Sequence, residues 1–268
     1  MFEKINFKFS VFPLVCFILF SFLLKTSGLS LLGIVNLNND LFKKSIIETA
    51  GMNTYQTLIF ILSSYSYIFL ALLFFVLGLA FIASYGTQNN DYINSLLPSF
   101  IGTIFAIFFL GFSIITVFIS IAMIISSLLV FKYSGLYFEE IQKWKYFRTG
   151  GKAIGNSLIA FNLIIALGAL IAVNSAQDFY KSGFVADIKS TLTEIALKEV
   201  EGESEDTKNT IRTRIEGVVE NSEMIQGYLR FLPIVVAIEI WFLLEITRLF
   251  IANIGGLFTY FILKHELE

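Results

Sequence analysis

The residues best suited to chemistry in this chain are an acid and a base, Glu245 and Arg248, which lie three positions apart within the apolar run 231–263. On an α-helix this spacing places both side chains on one face, where they can form an ion pair. In mid-membrane each charge costs roughly 2.5 to 3.5 kcal/mol unless it is paired or hydrated, and such groups usually line an ion path, relay protons or join subunits. A position at the outer headgroups is the alternative, and the sequence leaves both open.

The face that carries Glu245 predicts contact with protein rather than with lipid. Asn162, in the apolar run 154–176, is the side chain that we expect to hydrogen-bond to Glu245 or Arg248, because amides join helices within membranes. Small residues recur every four positions later in that run, and Trp241 and Gly256 lie within about 60° of Glu245 around the last helix. The predicted helix-packing residues are Gly168, Ala172, Ala176, Trp241 and Gly256.

No catalytic, cofactor-binding or metal-binding residue is predicted. Cys16 is the only cysteine and His265 the only histidine, which excludes an intrachain disulfide, a zinc cluster of cysteines and bis-histidine haem ligation. The sequence also lacks the GxxxxGKS/T phosphate loop, the GxGxxG dinucleotide motif and the GxSxG nucleophile elbow. A formal net charge of −2 without a dense group of Lys and Arg gives no reason to expect nucleic-acid binding.

Composition indicates an all-α, polytopic integral membrane protein. The chain is 56% hydrophobic and only 15% charged, with a mean hydropathy of +0.76. Its apolar stretches lack the alternation of barrel strands, so they must satisfy their backbone groups as helices. We expect about five transmembrane helices, of which the first is uncertain because Lys25 and Gly28 interrupt it early. The five apolar runs are 10–35, 57–85, 97–131, 154–176 and 231–263.

The spacing of apolar residues divides the chain into three parts. Residues 1–176 hold four membrane helices and short loops, 177–230 form an extracytoplasmic helical hairpin, and 231–268 form the long last transmembrane helix and a cytoplasmic tail. The hairpin is predicted because apolar residues repeat every three or four positions on both sides of a group of acids. The runs 97–131 and 231–263 would each be about 50 Å long, which exceeds a hydrocarbon core of about 30 Å. Their ends therefore need a cover, from the hairpin, an oligomer or a partner.

The distribution of basic residues predicts the orientation in a cell membrane. Five Lys and Arg lie in the loop 132–153, so this loop and the C-terminus are placed in the cytoplasm and 177–230 on the outer face. Part of that loop mixes basic and aromatic side chains, which typically lie among lipid headgroups. The predicted membrane-surface residues are Lys143, Trp144, Lys145 and Arg148.

Three functions agree with these features. The first is a non-enzymatic membrane subunit that assembles laterally, with itself or in a larger complex, through its charged last helix and outer hairpin. The second is a channel or transporter with Glu245, Arg248 and Asn162 along an ion path, although internal repeats and a broken helix are missing. The third is a lipid-acting enzyme that uses the same acid. The expected partners are the lipid bilayer and other membrane chains or a second copy.

Overall fold

The fold is entirely helical in the part of the chain that the structure, a computed structural model, describes: residues 7–28, 30–36, 56, 66–89, 91–200 and 204–267. Ten helices occur in these ranges, which confirms the all-α prediction. The start of the second apolar run, 57–65, lies outside the described residues. The helices are α1 (Phe7–Thr26), α2 (Leu31–Val35), α3 (Ser66–Gly86), α4 (Tyr92–Leu110), α5 (Ile114–Glu140), α6 (Lys145–Ser175), α7 (Gln177–Glu199), α8 (Glu205–Asn221), α9 (Glu223–Arg230) and α10 (Leu232–Leu267).

Three of the described helices are long and apolar enough to cross a membrane. They are α3 with 21 residues, α5 with 27 and α6 with 31, which correspond to lengths of about 32, 40 and 46 Å. Shorter apolar helices occupy Ser10–Thr26 and Ser95–Leu110. The last helix, α10, runs for 36 residues, or about 54 Å, without interruption. Apolar helices of this kind indicate contact with a lipid bilayer.

The third apolar run is broken, so the prediction of one long helix over 97–131 is wrong. Helix α4 ends before Gly111, whose φ of +78° suits a glycine because it has no Cβ to clash in this left-handed conformation. Helix α5 starts after Ser113, whose side chain accepts a hydrogen bond from the Thr116 N–H at 3.2 Å. The two helices pack against each other. Residues 111–113 therefore divide the run, predicted as one helix, into two helices that form a hairpin.

Two compact units make up the described chain. Of the described residues, the larger unit contains 7–28, 66–89, 91–168 and 238–267. Its centre is the buried Phe17 of α1, which lies between two glycines: a β-carbon at Gly78 of α3 or at Gly102 of α4 would be 2.8 Å from a Phe17 side-chain atom. The Phe75 ring of α3 packs against two other rings. Its centroid is 5.8 Å from that of Phe17 and 4.6 Å from that of Phe161 of α6. These contacts join α1, α3, α4 and α6 in one core.

Of the described residues, the smaller unit contains 30–36, 56, 169–200 and 204–237. Within it α7 packs against α8 and also against α2. Phe184 of α7 stacks on Tyr228 of α9 with ring centroids 4.7 Å apart, and Lys189 donates a 2.8 Å hydrogen bond to Glu220 of α8. This ion pair lowers the pKa of the Glu220 carboxyl, chiefly through that hydrogen bond. The region predicted as a hairpin is thus made of two main helices that pack together and a short third helix.

Candidate polar cluster between α6 and α10

Three polar side chains meet where α6 and α10 pack together inside the larger unit. Asn162 projects from α6, while Glu245 and Arg248 lie one helical turn apart on α10. Gly150 of α6 lies beside Thr259 of α10. Asn162, which comes later in α6, lies beside Glu245, which comes earlier in α10. The helices are therefore antiparallel.

Each oxygen of the Glu245 carboxylate has its own donor. Arg248 approaches Oε1 with two guanidinium nitrogens, Nε at 2.7 Å and Nη2 at 2.5 Å. The Asn162 amide nitrogen donates to Oε2 at 3.0 Å, and Arg248 Nη1 reaches the Gly155 carbonyl oxygen of α6 at 3.5 Å. Hydrogen bonds between charged groups are about twice as strong as neutral ones. The cluster therefore joins α10 to α6 twice, once through an acid and once through a base.

The surroundings of the cluster are mainly apolar and leave little space. Asn162 is 2% exposed, whereas the side chains of Glu245 and Arg248 are 24% and 20% exposed. A cavity of about 10 Å³ lies beside them, between α3, α6 and α10, and this is roughly the smallest volume that holds one water molecule. Apolar lining residues include Phe75, Phe161 and Ile251. The site suits an ion pair that fixes helices more than a path for a hydrated ion.

On the C-terminal side of Arg248 in α10, the backbones of α6 and α10 approach so closely that they leave no room for side chains between them. A β-carbon at Gly256 would lie 2.6 Å from the Phe147 carbonyl oxygen and 3.0 Å from the Gly151 nitrogen. Gly150 lies against Thr259, and a β-carbon at Gly155 would lie 3.4 Å from Ala252 Cβ. Sequence reasoning named Gly256 but did not name Gly150, Gly151 or Gly155 as packing residues. The signal was present, because Gly151 and Gly155 form a Gly-x-x-x-Gly pattern of the kind that permits close helix packing.

The other predicted packing residues have different surroundings. Gly168 lies against the Phe118 side chain of α5, where a β-carbon would be 2.5 Å from Phe118 Cβ. Ala172 is 7% exposed, but Ala176 is exposed at the end of α6. Trp241 is 41% exposed, although it lies on the same side of α10 as Glu245. The structure thus brings Glu245, Asn162 and Gly256 to one helix contact and leaves Trp241 at its edge.

The predicted membrane-surface residues surround the turn between α5 and α6. Trp144 is 81% exposed and has a φ of +54°, an uncommon conformation for a large side chain. Its carbonyl oxygen accepts a 2.9 Å hydrogen bond from the Arg148 N–H, so Trp144 caps the start of α6. Lys145 Nζ lies 3.7 Å from the centroid of the Phe138 ring. Lys143 and Arg148 are also exposed.

The three side chains of the cluster pair with one another through charge and hydrogen bonds. Among the described residues, no three His, Cys, Asp or Glu side chains come together as metal ligands would. Comparisons of the chain with protein-family models, with curated proteins and with solved structures gave no match. Function must therefore be inferred from the geometry itself.

Proposed function

We propose that the chain is a non-enzymatic integral membrane subunit that assembles laterally, with copies of itself or with other membrane chains. The observation that carries this proposal is the complete pairing of Glu245, whose two oxygens bind Arg248 and Asn162 of the same chain. Charges that already have their partners hold helices together and have little capacity left for a substrate. The surfaces that remain for assembly are the outward face of α10 and the α7–α8 pair.

The broken third run supports six crossings in place of five. With α1, α3, α4, α5, α6 and α10 all in the membrane, both chain ends lie in the cytoplasm, together with the loops 86–96 and 132–153. The inner side then carries eight Lys and Arg, counted over the N-terminal tail, these loops and the C-terminus, against two in the outer loop 36–56. This is the same imbalance that five crossings give. The N-terminus, the loop 36–56 and the loop 86–96, which has no Lys or Arg, change sides, whereas 132–153 stays inside and 177–230 stays outside.

The proposal is tested by the size and content of the purified particle. We expect mild detergent to extract a particle that contains more than one polypeptide, whereas a lone species of 30.3 kDa protein mass would contradict lateral assembly. Light scattering coupled to gel filtration separates the protein mass from the detergent mass. Repeating the extraction in a second mild detergent is the control for aggregation, because a specific assembly keeps its stoichiometry.

Transport is the second candidate, and the remaining exposure of Glu245 and Arg248, 24% and 20% of each side chain, favours it. On this reading the pair opens to let an ion or proton pass. Proteoliposomes that contain the wild-type chain would then conduct protons or monovalent ions faster than empty liposomes, and Glu245→Gln would abolish the difference. We expect no difference, because the closed pair and the cavity of about 10 Å³ offer no path.

A further inference from the structure

The outward face of α10 carries one polar residue, Asn253, in the middle of an apolar surface. Ile246, Leu249, Phe250 and Leu257 are exposed, and all lie within about 60° of Asn253 around the helix. Asn253 is also exposed. Gly256, Glu245 and Arg248, which pack on α6, lie about 60°, 80° and 140° from Asn253 around the helix. The exposure of Asn253 shows that the described helices leave its amide uncovered.

The Asn253 amide uses only part of its hydrogen-bonding capacity. Its nitrogen donates one bond, to the Leu249 carbonyl oxygen of the preceding turn at 3.0 Å. Among the described residues, no partner is found for the second N–H or for the amide oxygen. A primary amide has two donors and one oxygen acceptor with two lone pairs. One donor and the whole acceptor remain for a group outside the chain.

The position of Asn253 along α10 makes its unpaired N–H and oxygen energetically unfavourable. Asn253 lies 11 residues before Lys264, which marks the cytoplasmic end of the apolar run. At 1.5 Å per residue this distance is about 17 Å, near the centre of a hydrocarbon core about 30 Å thick. Lipid offers no hydrogen bonds there, so an unpaired amide group is unfavourable. This step rests on the proposed function, in which α10 crosses the membrane.

We infer that the outward face of α10 binds a second copy of this chain, with the Asn253 amides of the two copies hydrogen-bonded to each other. A second copy fits because the amide is complementary to itself: across a twofold axis, each donates its free N–H to the other's oxygen. Ile246, Phe250, Asn253 and Leu257 follow the 4-3-4 spacing of helices that pair in a left-handed crossing. The face carries no charge that would select a charged partner.

The inference is tested by measuring self-association of the full chain in liposomes of increasing lipid-to-protein ratio, with donor and acceptor dyes on separate copies. Asn253→Leu keeps the face apolar and removes the amide, so we expect the dissociation constant to rise on the order of tenfold. Asn253→Gln keeps the amide and should retain most of the association. The matched control is Asn174→Leu, the same change at an exposed position of α6, which should have no effect.

Cross-linking gives a second measurement that does not depend on affinity. In a Cys16→Ala background, Leu257→Cys should form a disulfide between copies, whereas Leu163→Cys, on the exposed face of α6, should not. Equal association of wild type and Asn253→Leu, or equal cross-linking at both positions, would overturn the inference. If the chain stays monomeric on its own but purifies with a different protein, the inference fails while the proposed function stands. Ion flux through the wild-type chain would instead count against the proposed function.

Discussion

At the scale of single residues, the Glu245 cluster is a case in which the neighbours decide whether a charge is tolerated. Arg248 neutralises the carboxylate from the same helix, and Asn162 occupies the other oxygen from α6. Removing one partner of a buried polar pair lowers the stability by more than the pair contributed. The remaining group stays buried with neither water nor a hydrogen-bond partner. The three residues should therefore behave as a unit.

Replacing Asn162 with leucine tests that coupling. Asn162→Leu keeps nearly the same volume but leaves Glu245 Oε2 without its donor, so we expect a loss of about 1 to 3 kcal/mol in unfolding free energy. Thermal unfolding in detergent, followed by circular dichroism, measures it. The control is Asn156→Leu, since Asn156 donates to the Tyr137 hydroxyl at an exposed position. An equal effect of both substitutions would mean that Asn162 acts only through helix propensity.

Trp144 is the second residue whose local chemistry makes a sharp prediction. Its φ of +54° costs a large L-residue about 1 to 2 kcal/mol, and glycine adopts this region freely. We expect Trp144→Gly to be neutral or stabilising to thermal unfolding in detergent. Lys143→Gly, one position earlier, should destabilise by about 0.5 to 1 kcal/mol, because there glycine only adds freedom to the unfolded chain. If Trp144→Gly lowered the stability as much as Lys143→Gly does, the interpretation that the Trp144 backbone is strained would be wrong.

At the scale of elements, the contact of α6 with α10 depends on the absence of side chains. Gly256→Ala would place a methyl group 2.6 Å from the Phe147 carbonyl oxygen, a backbone atom that cannot rotate away. An alanine normally stabilises a helix by about 1 kcal/mol relative to glycine. Here we expect the opposite sign, a loss of more than about 1 kcal/mol. Gly151→Ala is the matched control, since its β-carbon would meet its nearest atom at 3.5 Å, an ordinary contact.

The elements also show where sequence reasoning reached its limit. The helical class and the long last helix followed from hydropathy alone, and the pairing of Asn162 with Glu245 could be proposed because few polar groups were available. The break after α4 was missed because length and apolar character were weighed above Gly111 and Ser113, which end one helix and cap the next. The close approach at Gly151 could not be derived, because glycine patterns show that backbones can meet but not which ones do.

At the scale of the whole molecule, the break in the third run bears on the side of the membrane where the chain starts. Six crossings require the N-terminus and the loop 132–153 to face the same compartment, whereas five crossings place them on opposite sides. Both models put 177–230 outside. The N-terminus is therefore one part of the chain whose position separates the two models.

The test is cysteine labelling of intact cells with a membrane-impermeant maleimide, in a Cys16→Ala background. We expect Thr207→Cys, in α8, to react from outside, and Phe2→Cys and Lys143→Cys to react only after the membrane is permeabilised. Lys143→Cys serves as the internal reference because the basic residues around it oppose translocation in either model. Labelling of Phe2→Cys from outside, together with Thr207→Cys, would show an odd number of crossings. One helix between these two positions would then not cross the membrane, and the candidates are α1 and α4, whose apolar stretches of 17 and 16 residues are only about 26 and 24 Å long.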